Sequence, residues 1–168
     1  EPLVDAETGE VVAEAEAKFP DIRWPEGVTR HLIGHLQSNK AARAVDTFDM
    51  IQSVDSLRLA RRLNTFAAAR DLVLPVLVEV RLSDEPNKTG IAPGELSAAM
   101  DGIQGLENLS VRGLMGMAPF TDDKKAVRLA FQTLRNHILT LHNVNEAVLS
   151  MGMTGDFEIA IEEGSTMV

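Results

Sequence analysis

The chain reads as a parallel α/β domain, and three observations predict it. Five short apolar segments begin near residues 31, 50, 73, 111 and 147, and each is followed by a stretch of helical periodicity, the alternation that builds a parallel sheet with right-handed crossovers. The segments are apolar on consecutive positions, as strands covered on both faces are. The clearest strand-to-helix joint is His31-Leu-Ile-Gly-His-Leu-Gln-Ser-Asn-Lys40. Its apolar burst stops at Gly34, and Gln37, Ser38 and Asn39 offer turn and N-cap chemistry before the helix former Lys40-Ala-Ala-Arg-Ala-Val45. In such folds ligands sit at the carboxyl ends of strands, so function is sought there.

Taken in order, Glu7 to Phe19 reads as a helix, with Val12, Ala15 and Phe19 on one face and Glu14 four residues before Lys18. Pro20 ends it, and Trp24-Pro25-Glu26-Gly27 forms a turn leading to the strand His31 to Gly34. A helix near Lys40 to Phe48 precedes the strand Met50-Ile-Gln-Ser-Val54. Asp55 or Ser56 then caps a helix with Leu57, Ala60, Leu63 and Ala67 at helical spacing. Leu72 to Val80 is the most strand-like segment and belongs at the centre of the sheet, with Glu79 directed to a strand end or a partner. Pro93 opens the next helix, and Val111 to Met117 is the following strand, closed by Pro119. Asp122 to His142 carries an apolar stripe of Val127, Ala130, Phe131, Leu134, Ile138 and Leu141. Ala147 to Met151 is the next strand, and a short helix from Asp156 to Glu162 follows.

At 168 residues the sequence is expected to form a single domain over 1–168. Hydrophobic residues make up 45% and aromatics only 4%, with no tyrosine, so the core is built from aliphatics and methionine. Sixteen basic residues against 25 acidic ones give a net charge of −9, which argues against nucleic acid and anionic membranes as partners. With no cysteine there is no disulfide, no thiolate zinc site and no thiol nucleophile. No apolar run approaches the ~20 residues that span a bilayer, and the start Glu1-Pro-Leu-Val-Asp5 is acidic where a signal peptide is basic. A cytoplasmic location is expected.

The decamer His31 to Lys40 resembles the segment W-H-x-I-G-x-L-Q-x-N-K of the pyridoxal phosphate homeostasis proteins (YggS/PROSC type). Further motifs in the family's order are Glu85-Pro-Asn-Lys-Thr-Gly90, Arg112-Gly-Leu-Met115, Ser150-Met-Gly-Met-Thr-Gly-Asp156 and Ala160 to Val168. The resemblance covers roughly residues 9 to 168 and implies a TIM barrel of the alanine racemase N-terminal domain type. A closed barrel of eight strands usually needs ~200 to ~250 residues, so an incomplete barrel lacking the first and last strands is expected. Against the family pattern six residues, Pro25 to Arg30, stand between Trp24 and His31, and the family's glycine-glutamate-asparagine is represented only by Gly9-Glu10-Val11. The first-strand lysine that forms the Schiff base and the closing arginine-isoleucine-glycine strand have no counterpart here.

The resemblance implies pyridoxal 5'-phosphate as cofactor and His31, Met115, Ser150, Met153 and Thr154 as its contacts. His31 reads equally as a satisfied buried polar group at a strand start. Thr154 stands where the family has a phosphate-contacting serine, and Gly152 and Gly155 allow close backbone approach ahead of a helix. A plain glycine turn capped by Asp156 explains the same residues. Met115, Met117, Met151 and Met153 read first as core filler. The acidic pairs Asp122-Asp123 and Glu162-Glu163 read as solvated helix ends. His31 and His35 are four apart, a zinc spacing on a helix, but Gly34 and the strand character spoil that geometry and no metal is expected.

Of the five lysines, Lys18 and Lys40 read as polar helix or cap residues, Lys124 and Lys125 as a charged helix start, and Lys88 as a solvated loop residue. Covalent attachment of the cofactor is therefore not expected for this sequence. The sequence reads as a non-enzymatic cofactor carrier, impaired by those departures. The alternatives are a degenerate scaffold serving as an interaction module and, against the absence of tyrosine, an alanine racemase-like enzyme fragment. Family members are mostly monomeric, whereas open strand edges here predict self-association.

Overall fold

The computed structural model describes residues 3–4, 11–13, 25–83, 85, 88–140 and 147–168. Near the start, β1 (Leu3–Val4) and β2 (Val11–Ala13) pair antiparallel. Val11–Ala13 is thus extended, which corrects the expectation of a helix over Glu7 to Phe19. A β-branched pair, Val11-Val12, suits a strand better than a helix. The rest of that segment, with Lys18 and Trp24, lies outside the described residues.

The body of the fold is a five-stranded parallel sheet in sequence order: β3 (His31–Leu32), β4 (Met50–Val54), β5 (Leu74–Glu79), β6 (Leu109–Met115) and β7 (Val148–Ser150). Between the strands run α1 (Ala41–Thr47), α2 (Leu57–Ala68), α3 (Leu96–Gln104) and α4 (Lys124–Thr140), and α5 (Phe157–Glu162) follows β7. Short 3-10 turns at Ser38–Lys40 and Pro93–Glu95 lead into α1 and α3. Five sequential parallel strands form part of a barrel that closes with eight. β5 is central, as its unbroken apolar run predicts.

Local chemistry sets most boundaries. Ser56 caps α2 by accepting from the Leu59 amide at 3.3 Å, and Asp123 starts α4 by accepting from the Lys125 amide at 2.9 Å. Gln37, Ser38 and Asn39, read as N-cap candidates, supply no side-chain cap; the 3-10 turn takes that role. β3 is only two residues long, and Gly34 lies beyond it.

Two irregularities bend the sheet. Between β4 and β5 the register runs Ile51↔Val76 and then Val54↔Val78, and between β5 and β6 it runs Val76↔Val111 and then Leu77↔Gly113. Each inserts an extra residue in one strand, which increases local twist and curvature. At the second, β6 and β7 approach so closely that a Cβ on Gly113 would stand 1.8 Å from the Val148 carbonyl oxygen. Any side chain there would push the two strands apart.

The bend separates two faces. The outer face, Ile51, Val54, Val76, Val78, Val80, Leu114 and Leu149, packs with Leu63 of α2, Ile103 of α3 and Phe131 and Leu134 of α4 into one apolar cluster. Leu77 and Met115 are buried but do not belong to that cluster. By strand alternation they share the inner face with Glu79, Gly113 and Ser150. No helix among the described residues is long and apolar enough to cross a membrane.

Candidate functional site

The inner face is polar where the outer face is apolar. Glu79 pairs in register with Met115, and Met115 with Ser150, so one row of side chains runs across β5, β6 and β7 at their carboxyl ends. All three are buried, Glu79 being 3% exposed. From β4, Gln52 reaches the same row. The Ser150 hydroxyl donates to Gln52 Oε1 at 2.7 Å, Gln52 Nε2 lies 2.9 Å from His31 Nδ1, and it also faces Met167 Sδ at 3.0 Å. In a flat sheet β4 and β7 would stand three strand spacings apart, roughly 14 Å. Their direct hydrogen bond therefore measures how strongly the sheet coils.

Met167 is held there by a parallel bridge to Ser150, reinforced by the Ser165 hydroxyl, which donates to the Met167 carbonyl at 2.7 Å and lies 2.9 Å from that of Met151. On the other side of the row Glu79 accepts from the Thr89 hydroxyl at 2.6 Å. Burial pushes the Glu79 carboxyl above the usual carboxylate range; the Thr89 hydrogen bond offsets part of this, Asp55 adds to the rise, and His35 and Lys88 oppose it. Lys88 is thus half-buried and close enough to act on Glu79, with Glu85 3.8 Å away. This corrects its reading as a solvated loop residue: the bridge Val80↔Ile91 folds the loop back over the strand end.

The structure joins His31 and Ser150 through Gln52 and sets Met115 beside Ser150. Met153 and Thr154 sit apart from them on the loop that leaves β7, both exposed. Gly152 makes that loop possible. It has φ +104°, and a Cβ there would meet the Ala160 Cβ at 2.7 Å. Asp156 occupies the N-cap position of α5, but its carboxylate accepts from the Met153 amide upstream at 2.6 Å and makes no cap bond.

Of the four methionines read as core filler, Met151 lies in the apolar cluster and Met115 is buried on the inner face. Met117 and Met153, each two or three residues beyond the end of its strand, are exposed. Glu163, read as a solvated helix end, is buried; it accepts from Arg128 Nη1 at 2.7 Å and Gln132 Nε2 at 3.2 Å and pairs with Arg135 at 3.2 Å, and Arg128 holds its carboxyl below the usual range. These partners come from α4, more than 25 residues away, beyond the reach of a local pattern.

Gln52, Glu79, Thr89 and Met167 join the site without having been assigned to it from sequence. The available signal was a polar side chain inside a buried apolar strand, visible at Gln52 and Glu79. An open cleft of about 390 Å3 lies over the ends of β3 and β4, lined by His35, Ser38, Asn39, Asp55, Ser56 and Arg58. Ser150, Met115 and the 152–155 loop do not line it, so the polar row and this cleft are neighbouring features. His35 Nδ1 faces Asp55 Oδ2 at 3.3 Å. Among the described residues no three His, Cys, Asp or Glu side chains are grouped to hold a metal ion.

Comparison with known proteins agrees with this geometry. Residues 12–168 match the family model for the alanine racemase N-terminal domain. A protein of Pseudomonas aeruginosa called pyridoxal phosphate homeostasis protein is 41% identical over 138 residues, covering 82% of this chain and 60% of its own length. One of the same name from Synechocystis is 35% identical, covering 92% of this chain and 70% of its own length. The chain thus spans about three fifths to two thirds of such relatives. The solved structure of PipY from Synechococcus elongatus PCC7942 with PLP bound superposes with a TM-score of 0.74 at 33% identity, covering 90% of this chain and 69% of that one. With its parallel, coiled sheet and its polar inner face, the chain belongs to the pyridoxal phosphate homeostasis proteins, within the alanine racemase N-terminal domain family.

Proposed function

We propose that this chain is a cytoplasmic pyridoxal 5'-phosphate binder of the homeostasis type, with no reaction of its own, and that it holds the cofactor against the inner side of β3 and β4 and the carboxyl ends of β5 to β7. The observation that carries this reading is the row Glu79, Met115 and Ser150, tied through Gln52 to His31, in a chain whose relative PipY has been solved with PLP bound.

The residues present fit the group in part. Met115 offers a polarisable apolar surface to a flat ring, and His31 a hydrogen-bonding edge. The exposed Thr154 hydroxyl, beside Gly152 and Gly155, suits a phosphate oxygen. Asp156 works against it, since its carboxylate sits on the Met153 amide and places negative charge beside the loop. When bound, the cofactor would supply a reactive aldehyde. The chain's own residues bind and orient it. Among the described residues Lys40, Lys124 and Lys125 are exposed helix residues and Lys88 pairs with Glu85 and lies near Glu79, and Lys18 reads from sequence as a polar helix residue, which supports reversible, non-covalent binding.

Calorimetric titration with pyridoxal phosphate and with inorganic phosphate tests the reading. Thr154→Ala is expected to weaken both by about tenfold, the worth of one hydrogen bond to a charged group, while Lys40→Ala binds as the unaltered protein does. Equal loss in both variants contradicts a localised site. Reduction with borohydride followed by peptide mapping should give only scattered trace labelling of lysines, and a single stoichiometric adduct would overturn the non-covalent assignment.

A further inference from the structure

One arrangement of hydrogens satisfies every contact of the polar chain on the inner face. Gln52 is 1% exposed, so its amide atoms need partners within the protein. One end of the amide faces Met167 Sδ at 3.0 Å and His31 Nδ1 at 2.9 Å, and the other faces Ser150 Oγ at 2.7 Å. A thioether sulfur accepts and cannot donate. The amide nitrogen at the Met167 end gives the sulfur a donor, which favours this orientation of a group whose two ends otherwise look alike.

Two consequences follow. The Ser150 hydroxyl donates to the amide oxygen. The second amide hydrogen points at His31 Nδ1, which must offer a lone pair, so the neutral imidazole carries its hydrogen on Nε2. His35 shows the opposite arrangement a few residues on: its Nδ1 faces the Asp55 carboxylate, an acceptor, and must itself carry the hydrogen.

We infer that Gln52 is a positioning residue, which holds His31 in the Nε2–H tautomer so that the ring meets a bound pyridoxal phosphate with Nε2 as its one donor. The functional half of this inference rests on the cofactor-binding reading; the tautomer does not. A glutamate at 52 would keep the shape and the acceptor for Ser150 but present an acceptor to His31, reversing the ring's polarity.

Long-range proton–nitrogen NMR on the 15N-labelled protein, at a pH where both rings are neutral and with no ligand present, reads both tautomers. His31 is expected as Nε2–H and His35 as Nδ1–H. In Gln52→Glu, His31 should switch to Nδ1–H while His35 stays unchanged, and pyridoxal phosphate should bind about tenfold more weakly. A hydrogen on His31 Nδ1 in the unaltered protein, or a mixture of tautomers, overturns the inference whether or not the variant folds. So does a folded Gln52→Glu protein whose His31 does not switch. A switched tautomer with undiminished affinity overturns the functional half. If neither protein binds the cofactor while the tautomers are as expected, the cofactor reading fails and the positioning of His31 by Gln52 stands.

Discussion

The two faces of the sheet are built from the same strands and obey different rules. On β5 the outward residues Leu74, Val76 and Val78 disappear into one apolar cluster with the helices, while two positions on the other side, Leu77 and Glu79, face a lining of Met115, Ser150 and Gln52. The outer face is held by non-directional burial, which tolerates any side chain of suitable size. The inner face is held by directional contacts, Ser150 to Gln52, Gln52 to His31 and Thr89 to Glu79, each of which fixes which atom donates. Apolar burial therefore dominates one face and directional hydrogen bonding the other.

The largest effect should come from the outer face. Phe131 is fully buried between α4 and the sheet, and Phe131→Ala should cost about 3–5 kcal/mol in urea unfolding. Ser150→Ala removes one inner hydrogen bond and should cost about 1–2 kcal/mol. Equal losses would break the division between the faces.

A smaller, pH-dependent effect should come from Glu79. Its carboxyl pKa is raised in the fold, so the folded state keeps the proton longer than the unfolded chain does. The associated stability is complete below the ordinary glutamate value of ~4.3 and falls as pH climbs through the raised value. One proton limits the slope to about 1.4 kcal/mol per pH unit. Glu79→Gln should flatten the profile in that window, and an unchanged profile would mean that Glu79 is ionised and solvated.

How much could be read beforehand follows the same division. All five strands of the sheet were visible as apolar runs, and β5 was placed at the centre, because a doubly covered strand announces itself in consecutive valines and leucines. Val11–Ala13 reads as helix because its neighbours, alanines and glutamates, mimic a helical pattern. On the inner face Ser150 and His31 are legible through motif resemblance. Within Met50-Ile-Gln-Ser-Val54 nothing local says that Gln52 will bond to a residue 98 positions away. The coil that joins them depends on bulges near Gln52 and Arg112, and bulges leave no periodic trace.

The central claim, that the polar ends of the strands form the ligand face, is tested most directly by titrating pyridoxal phosphate into 15N-labelled protein and following the backbone amide resonances. Shifts are expected to concentrate at His31, Gln52, Met115 and residues 150–155, with the opposite ends of the central strands, where Leu74 pairs with Leu109, left unmoved. Shifts centred on Leu74 and Leu109, or on the outer surfaces of α2 and α3, would contradict it.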